Sequence, residues 1–162
     1  MPWVFGYGSL LLKESAEKSM TVQSMIVGVL YGYQRYWGVR STADTPSVVM
    51  GVRNQHQSQC TGAFIKTPED SFEALDVRER KYDRVRLQED EYDAEGVSGD
   101  VYVYVPKPEW ATTPPDIHVG EAYLRTCILG ACKLGIEEEF FTETTGWDRC
   151  KTALTQSLSQ KE

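Results

Sequence analysis

The first 65 residues predict a series of β-strands, and this series constrains the fold more than any other feature of the chain. Apolar, β-branched and aromatic residues fill short segments that turn-forming residues separate. The predicted strands are residues 3–5, 22–33, 35–40, 47–53 and 60–65. Gly28 and Gly32 interrupt the second segment, which predicts a bulge or a sharp bend there. We therefore expect a run of antiparallel strands in this part of the chain.

The hydrophobic period changes after residue 66. Thr67 is a suitable N-cap, and Pro68 suits the first helical position. These two residues predict a short helix that ends near residues 79–81. Its buried side is formed by Phe72, Leu75 and Val77.

Strands over residues 82–87 and 100–105 are expected next, followed by a helix over 120–134 and a shorter one over 136–141. Gly135 lies just past the longer helix, where a left-handed residue commonly ends a helix. This order predicts an α+β fold, and a small mixed β-barrel with flanking helices accommodates the bends. We expect one domain over residues 1–154 and a polar tail over 155–162.

Charge and cysteine usage exclude several classes of partner. The chain has 17 Lys and Arg against 24 Asp and Glu, a net charge of −7 that disfavours nucleic acid and anionic membranes. The four cysteines form no Cys-x-x-Cys pair, and neither histidine lies at a zinc-finger interval from them. No basic residue precedes the apolar start of the chain, as a secretory signal requires. We expect a cytoplasmic protein with reduced cysteines and no metal.

A glycine-rich loop follows the first strand, at residues 5–10 (FGYGSL). Glycines on both sides of Tyr7 allow the backbone to approach a ligand closely. Successive N–H groups in such a turn can bind a carboxylate or an oxyanion. The loop lacks the G-x-G-x-x-G and P-loop patterns of nucleotide sites. On these residues alone, a plain turn remains the alternative.

Glu79 lies where the predicted helix gives way to a strand, so its side chain can project into a cavity. A carboxylate that acts as a base for an amine needs burial that raises its pKa. Arg78, Arg80 and Lys81 flank Glu79, however, and a solvated cluster of ion pairs has the same composition. From the residues alone, both interpretations remain open.

Nine tyrosines are a high count for 162 residues. Tyr102 and Tyr104 alternate along one predicted strand, which directs both hydroxyls to the same face. A pocket lined by phenols can bind a zwitterion, and Arg35 or Arg40 is a candidate for binding a carboxylate through two hydrogen bonds. Core packing and ordinary surface charge are the alternatives.

Histidine-dependent hydrolysis is disfavoured. His56 lies in the polar segment 54–59, which predicts a solvated loop, and His118 follows a proline-rich connection. Ser9 lacks the G-x-S-x-G pattern of a nucleophile elbow.

Four blocks of residues occur in an order that characterises a known family. They are residues 4–10 (VFGYGSL), 32–38 (GYQRYWG), 75–79 (LDVRE) with the later Tyr82, and 120–135 (GEAYL, then GA and G). Together they resemble the gamma-glutamyl cyclotransferase superfamily, and most closely its ChaC branch, over about residues 1–145. Members of that branch often carry Gly-Gly or Gly-Tyr after the glutamate, whereas this chain has Arg80 and Lys81. This difference leaves open which γ-glutamyl compound is the substrate.

The resemblance implies a mixed β-barrel with flanking helices, no cofactor, and cleavage of a γ-glutamyl compound, with glutathione as the first expected substrate. Glu79 would be the acid/base that lets the α-amine attack the γ-carbonyl, and the products would be 5-oxoproline and cysteinylglycine. The implied substrate-binding residues are Tyr7, Gly8, Ser9, Leu10, Tyr82, Tyr104 and Arg40.

Two alternatives accompany this hypothesis. The same reaction could act on other γ-glutamyl amino acids or on γ-glutamylamines. A non-catalytic protein could bind a γ-glutamyl group or a carboxylate on the same scaffold, with Glu79 outside the cavity or paired with Arg78 or Arg80. The expected partner is a small molecule, and the expected state is a monomer or a homodimer.

Overall fold

The main element of the fold is a mixed, curled β-sheet. The computed structural model describes residues 1–41, 47–111 and 118–147. Within these residues the strands are β1 (Trp3–Gly6), β2 (Ser24–Arg40), β3 (Ser47–Lys66), β4 (Tyr82–Arg86), β5 (Tyr92–Asp93), β6 (Val101–Pro106), β7 (His118–Val119) and β8 (Thr144–Thr145). The helices there are α1 (Lys13–Ala16), α2 (Phe72–Arg78), α3 (Glu121–Leu134) and α4 (Glu137–Thr142), with short 3-10 turns at Ser9–Leu11, Glu69–Ser71 and Glu89–Glu91.

The sheet has the strand order β4-β6-β1-β3-β2-β5, with β7 added to β3 and β8 added to β2. The pairs β1–β3, β2–β3 and β4–β6 are antiparallel, whereas β1–β6, β2–β8 and β3–β7 are parallel. The sheet is therefore mixed and forms a half-barrel, which confirms the predicted α+β class.

Strands β2 and β3 form one long hairpin, where the sequence predicts four shorter strands and a loop. Their pairing runs from Ser24 opposite Lys66 to Arg40 opposite Val48. The polar residues 54–59 lie at the surface within the bounds of β3 rather than between two strands. Asn54 pairs with Tyr33 and Gln59 with Tyr31, whereas residues 55–58 fall in the register shift opposite Gly32 and have no paired residue in β2. The expected solvated segment is therefore a bulge within one strand. The predicted bulge is present near Gly32, which has φ +79° and lies at a register shift.

Gly28 does not bend the chain. It lies within β2, and a Cβ there would come within 2.7 Å of the Asp93 carbonyl and of the Phe64 ring. Glycine at this position allows the segments around Asp93 and Phe64 to pack closely against β2, and it does not interrupt the strand.

The helix after β3 begins later than predicted. Thr67 is not its N-cap: the residue is fully buried, its N–H donates to the Pro2 carbonyl (3.1 Å), and its hydroxyl has no hydrogen-bond partner among the described residues. Pro68 occupies the N-cap position of the 3-10 turn that leads into α2. Phe72 and Leu75 are buried as predicted, whereas Val77 is 67% exposed.

The helices at the end of the described chain match their predictions. Gly135 ends α3 with φ +73°, and α4 follows almost at once. Cys60, Cys127 and Cys132 are free cysteines, whereas Cys150 and the predicted tail at 155–162 lie outside the described residues. Within residues 1–41, 47–111 and 118–147, no helix is both long enough and apolar enough to cross a membrane.

Candidate active site

A cavity of about 250 Å³ opens where the end of β1, the end of α2 and the start of β4 meet. Its lining includes every predicted site residue except Arg40, namely Tyr7, Gly8, Ser9, Leu10, Glu79, Tyr82 and Tyr104. The glycine-rich loop and the carboxylate that the sequence singled out separately thus line one cavity.

The glycine-rich loop ends β1 and enters the 3-10 turn Ser9–Leu11. The Leu11 N–H donates to the Gly8 carbonyl (3.0 Å) and closes this turn. The N–H groups of Gly8, Ser9 and Leu10 lie at its beginning, where backbone donors have no partner within the turn. A Cβ at Gly8 would lie 2.9 Å from the Tyr123 hydroxyl oxygen, so the close approach of these segments requires glycine.

Glu79 is held by the backbone turn that joins α2 to β4. Its N–H donates to the Leu75 carbonyl (2.8 Å), and its own carbonyl accepts from the Tyr82 N–H (2.9 Å). The side chain is 15% exposed. The backbone of Glu79 is therefore held by main-chain bonds on both sides, at the end of α2 and just before β4.

Burial dominates the electrostatics of Glu79. Removal from water raises the pKa of its carboxyl, whereas the nearby Arg78 and Lys81 cations lower it, and the effect of burial is the larger. The Arg78 Nε lies 3.7 Å from Glu79 Oε1, so an ion pair is also present. The carboxyl is thus more basic than a solvated glutamate, which is the property that a base for an amine needs.

Arg78 connects Glu79 to the glycine-rich loop. Its guanidinium donates to Ser9 Oγ (3.2 Å), to the Ser15 carbonyl (2.6 Å) and hydroxyl (3.0 Å), and to Ser19 Oγ (3.3 Å). The sequence indicated only a neighbouring charge here. The hydrogen bonds to the segment 9–19 depend on tertiary packing, and no local pattern announces them.

The phenol hydroxyls around the cavity donate to the protein itself. The Tyr7 hydroxyl donates to the Tyr104 carbonyl (2.7 Å), the Tyr82 hydroxyl to the Met50 carbonyl (2.6 Å), and the Tyr104 hydroxyl to Asp76 Oδ1 (2.7 Å). Burial raises the pKa of each of these phenols, so they stay protonated. The tyrosines therefore form a fixed wall.

Tyr123 completes this wall and was not predicted as a site residue. Its hydroxyl accepts a hydrogen bond from the Met50 N–H (3.2 Å), and burial raises its pKa. Its signal in the sequence was the tyrosine of the 120–135 block.

Cations also line the cavity. Arg78, Arg80 and Lys81 contribute to its surface beside the single carboxylate of Glu79. The Lys81 ammonium donates to the Ser41 carbonyl and lies 5.1 Å from the centre of the Trp110 ring. Burial, followed by the charge of Arg80, lowers its pKa. The lining thus has a local positive surplus in a chain whose net charge is −7.

Neither arginine proposed for a substrate carboxylate lies on this cavity. Arg40 donates to the Glu109 carbonyl and lies 5.6 Å from the centre of the Trp110 ring. Arg35 is fully buried behind the loop, where it donates to the Tyr7 carbonyl. Among the described residues, no group of three or more His, Cys, Asp or Glu is placed to hold a metal ion.

The family model described as "ChaC-like protein" matches residues 2–123 of the chain. The chain belongs to the ChaC-like family. This result confirms the resemblance found in the sequence blocks, and the matched residues of this ChaC-like chain include both the loop and Glu79.

Several similar proteins and solved structures are named gamma-glutamyl cyclotransferases. The ChaC-like chain is 30% identical over 120 residues to gamma-glutamylcyclotransferase 2-3 of Arabidopsis thaliana, a match that covers 66% of the chain and 58% of that relative's length. A solved gamma-glutamyl cyclotransferase superposes with a TM-score of 0.64 at 17% identity, covering 85% of this chain and 82% of the other. The glutathione-specific enzyme from yeast superposes with a TM-score of 0.61 at 15% identity, covering 96% and 98%. These superpositions establish a shared fold.

Proposed function

We propose that this protein is a γ-glutamylcyclotransferase that converts glutathione to 5-oxoproline and cysteinylglycine. The observation that carries the proposal is the single cavity lined by a glycine-rich loop and by a carboxyl whose pKa is raised by burial. The name of the Arabidopsis relative supports the reaction, and that of the yeast structure supports glutathione as the substrate.

The substrate carries both reacting groups. Its α-amine attacks its own γ-carbonyl, a new N–C bond closes the five-membered ring, and the bond from the same carbonyl carbon to the leaving nitrogen breaks. Because the attack is intramolecular, holding the substrate in a folded conformation removes much of the barrier. A cavity of about 250 Å³ suits a compact γ-glutamyl group, with the rest of a tripeptide extending beyond it.

Glu79 moves the proton. It takes a proton from the α-ammonium so that the nitrogen lone pair is free to attack, and it returns that proton to the leaving nitrogen. A carboxyl with an ordinary pKa is a weak base for this step. The burial of Glu79 beside Tyr7, Tyr82 and Tyr123 raises the pKa of its carboxyl and so reduces the difference from the pKa of the substrate's α-ammonium.

The loop stabilises negative charge. The N–H groups of Gly8, Ser9 and Leu10 would donate to the oxyanion that develops on the γ-carbonyl or to the α-carboxylate. The hydroxyls of Tyr7, Tyr82 and Tyr104 donate to groups of the protein, so these residues bound the cavity with their rings instead of donating to the substrate. Their rigid packing keeps the substrate in its folded conformation.

Arg80 and Lys81 replace Arg40 as the residues that meet a carboxylate on the leaving amine, because they line the cavity and Arg40 does not. These cations favour a leaving group that carries a carboxylate, as cysteinylglycine does, over the leaving amine of a γ-glutamylamine, which carries no carboxylate. The residues that depart from the usual branch pattern thus remain compatible with glutathione.

A second candidate, a non-catalytic γ-glutamyl-binding protein, is favoured by one observation. The Arg78–Glu79 ion pair at 3.7 Å is the arrangement expected if the carboxylate serves only to balance charge. The two candidates differ in whether product forms.

A substrate panel tests the proposal. The purified chain is incubated with glutathione, a γ-glutamyl amino acid and a γ-glutamylamine, and 5-oxoproline is measured across a broad pH range. We expect product from glutathione with the highest kcat/KM and the lowest value for the amine. Absence of 5-oxoproline from all three, together with calorimetric binding of glutathione, would establish the binding protein instead.

A further inference from the structure

A buried pair of charges, Arg35 and Glu143, packs against the glycine-rich loop, and neither residue lines the cavity. Arg35 of β2 has a fully buried side chain, and its Nη2 lies 3.9 Å from Oε1 of Glu143, whose side chain is 13% exposed. The guanidinium also lies 4.9 Å from the centre of the Phe140 ring. Burying an arginine is costly unless its hydrogen bonds and its charge are satisfied, so the contacts of this residue indicate what it does.

The pair occupies the place of a missing strand partner. Strand β1 pairs with β3 as far as Gly6 opposite Ala63, and continuing this antiparallel register would place Gly8 opposite Thr61. Instead, the Thr61 carbonyl accepts from Arg35 Nη2 (2.8 Å), and the Thr61 N–H donates to Glu143 Oε1 (2.8 Å). Two side chains therefore satisfy the backbone groups that Gly8 would have bonded.

Arg35 also fixes the peptide between Tyr7 and Gly8. Its Nη1 donates to the Tyr7 carbonyl (3.2 Å), which therefore points toward the buried guanidinium. In a planar trans peptide, the carbonyl and the following N–H point in opposite directions. The Gly8 N–H consequently points away from Arg35, and Gly8 lines the cavity.

We propose that Arg35, held by Glu143, is a positioning residue that turns the Gly8 N–H out of the sheet and into the substrate cavity. The side-chain bonds to Thr61 remove the competing ladder partner, and the bond to the Tyr7 carbonyl sets the direction of the peptide. A cation bonded to that carbonyl also polarises the peptide and makes the Gly8 N–H a better donor. The inference rests on the proposed function for the group that Gly8 binds.

Part of this arrangement lies beyond residues 2–123, which the family model matches. Phe140 and Glu143 follow the matched residues 2–123, and both contact Arg35. Glu143 is in turn held by Gln59, whose side-chain amide donates to Oε2 (2.8 Å). The C-terminal elements α4 and β8 therefore contribute to the geometry of a loop near the start of the chain.

Selective isotope labelling for NMR reports on the environment of the Gly8 N–H. The sequence contains two Tyr-Gly steps, Tyr7-Gly8 and Tyr31-Gly32. Labelling tyrosine with ¹³C at the carbonyl and glycine with ¹⁵N therefore gives two amide signals in a carbonyl-filtered spectrum. Gly32 lies at the register shift of the hairpin and provides an internal reference.

The test compares Arg35→Lys with Arg53→Lys. Lysine cannot reach both the Tyr7 and the Thr61 carbonyls with the planar fork that arginine uses. Arg53 also stacks on an aromatic ring, 4.8 Å from the centre of the Tyr36 ring, and it lies outside the cavity lining. In R35K we expect the Gly8 signal to move, the Gly32 signal to stay, and kcat/KM for glutathione to fall about 10- to 100-fold. In R53K, both the Gly8 signal and kcat/KM should remain unchanged.

Both changes must occur together in folded R35K. A Gly8 signal that stays in place, or a kcat/KM within about twofold of that of R53K, would overturn the positioning role. If R35K does not fold, Glu143→Gln replaces it, with Glu138→Gln, at an exposed residue of α4, as its control. The Gly8 signal must then move in E143Q and stay in E138Q, and an unmoved signal in E143Q overturns the inference. A wild-type chain without turnover refutes the proposed function instead, and the Gly8 signal still decides how Arg35 acts.

Discussion

Replacing Glu79 by Gln tests the proposed chemistry with little disturbance of the fold. The turn that holds residue 79 is made by main-chain bonds to Leu75 and Tyr82, which the substitution leaves in place. What is lost is the ion pair to Arg78, between side chains that are 21% and 15% exposed. Such a partly solvated pair contributes at most ~1 kcal/mol. For a chain of this size, that corresponds to a change in Tm of about 2–4 °C.

Catalysis should respond far more strongly. Removing a general base typically lowers the rate about 10²- to 10⁴-fold, which corresponds to about 3–5 kcal/mol of transition-state stabilisation. The assay follows 5-oxoproline release from glutathione, thermal unfolding by circular dichroism, and glutathione binding by calorimetry. Glu79→Asp is the matched variant: it keeps the charge, shortens the side chain by one methylene, and should also lose most of kcat. An E79Q variant that folds, binds and retains more than about a tenth of kcat would refute the assignment.

The same variant has a pH-dependent signature. Burial raises the pKa of Glu79 in the folded state, so ionisation of this carboxyl opposes folding. This cost is absent below the unfolded-state pKa and develops as the pH rises through the folded-state pKa. Glutamine cannot ionise, so the Tm of E79Q relative to the wild type should increase as the pH is raised over that interval. A difference that is constant with pH would contradict the burial of the carboxyl.

Three further substitutions or treatments test other parts of the site. Arg78→Met removes the cation beside Glu79 and the bond to Ser9, so the acid limb of the kcat/KM profile should move to higher pH; an unmoved limb would show that the charge of Arg78 does not act on Glu79. Tyr7→Phe removes a buried hydrogen bond and should cost about 1–2 kcal/mol, or roughly 3–6 °C in Tm. Tyr31→Phe, at a residue that is 43% exposed, should leave Tm unchanged, and equal values for the two variants would rule out a stabilising Tyr7 bond. Burial raises the pKa of Cys60 to about 11 and that of Cys127 to about 12, so iodoacetamide at neutral pH should modify the exposed Cys132 before either of them, as peptide mass spectrometry can show.

The parts of the site that were predictable are those encoded by consecutive residues. In the loop at 5–10, the glycines lie on both sides of Tyr7, which lines the cavity. Glu79 directly follows α2, a helix that the sequence pattern predicts. In both cases local backbone geometry places the functional group. The alternating pattern likewise predicted β4 and β6, because each of these strands is short and regular.

The arginines show where such prediction ends. Arg35 and Arg40 lie on one long strand, and the direction in which each points depends on its register with β3 and on what covers it. Arg35 is covered by α4, far away in the sequence, and Arg40 by the segment around Trp110. Tyr123 and Arg78 were missed as site residues for the same reason, since their contacts connect segments that only the folded chain brings together. Residues 54–59 show a different error, because an exposed polar bulge within β3 has the same composition as a loop between two separate strands.

The placement of β1 between β3 and β6 determines when the site can form during synthesis. Trp3 pairs with Lys66 on one side and with Val101 on the other, so the strand that carries the glycine-rich loop obtains its second neighbour only after the first hundred residues have been made. Pairings between such distant segments slow folding, because long loops must close before the contacts form. A nascent chain that ends before β6 therefore carries the loop and Glu79 without the sheet that holds them together. Competence for ligand binding should appear late in translation and as a single event.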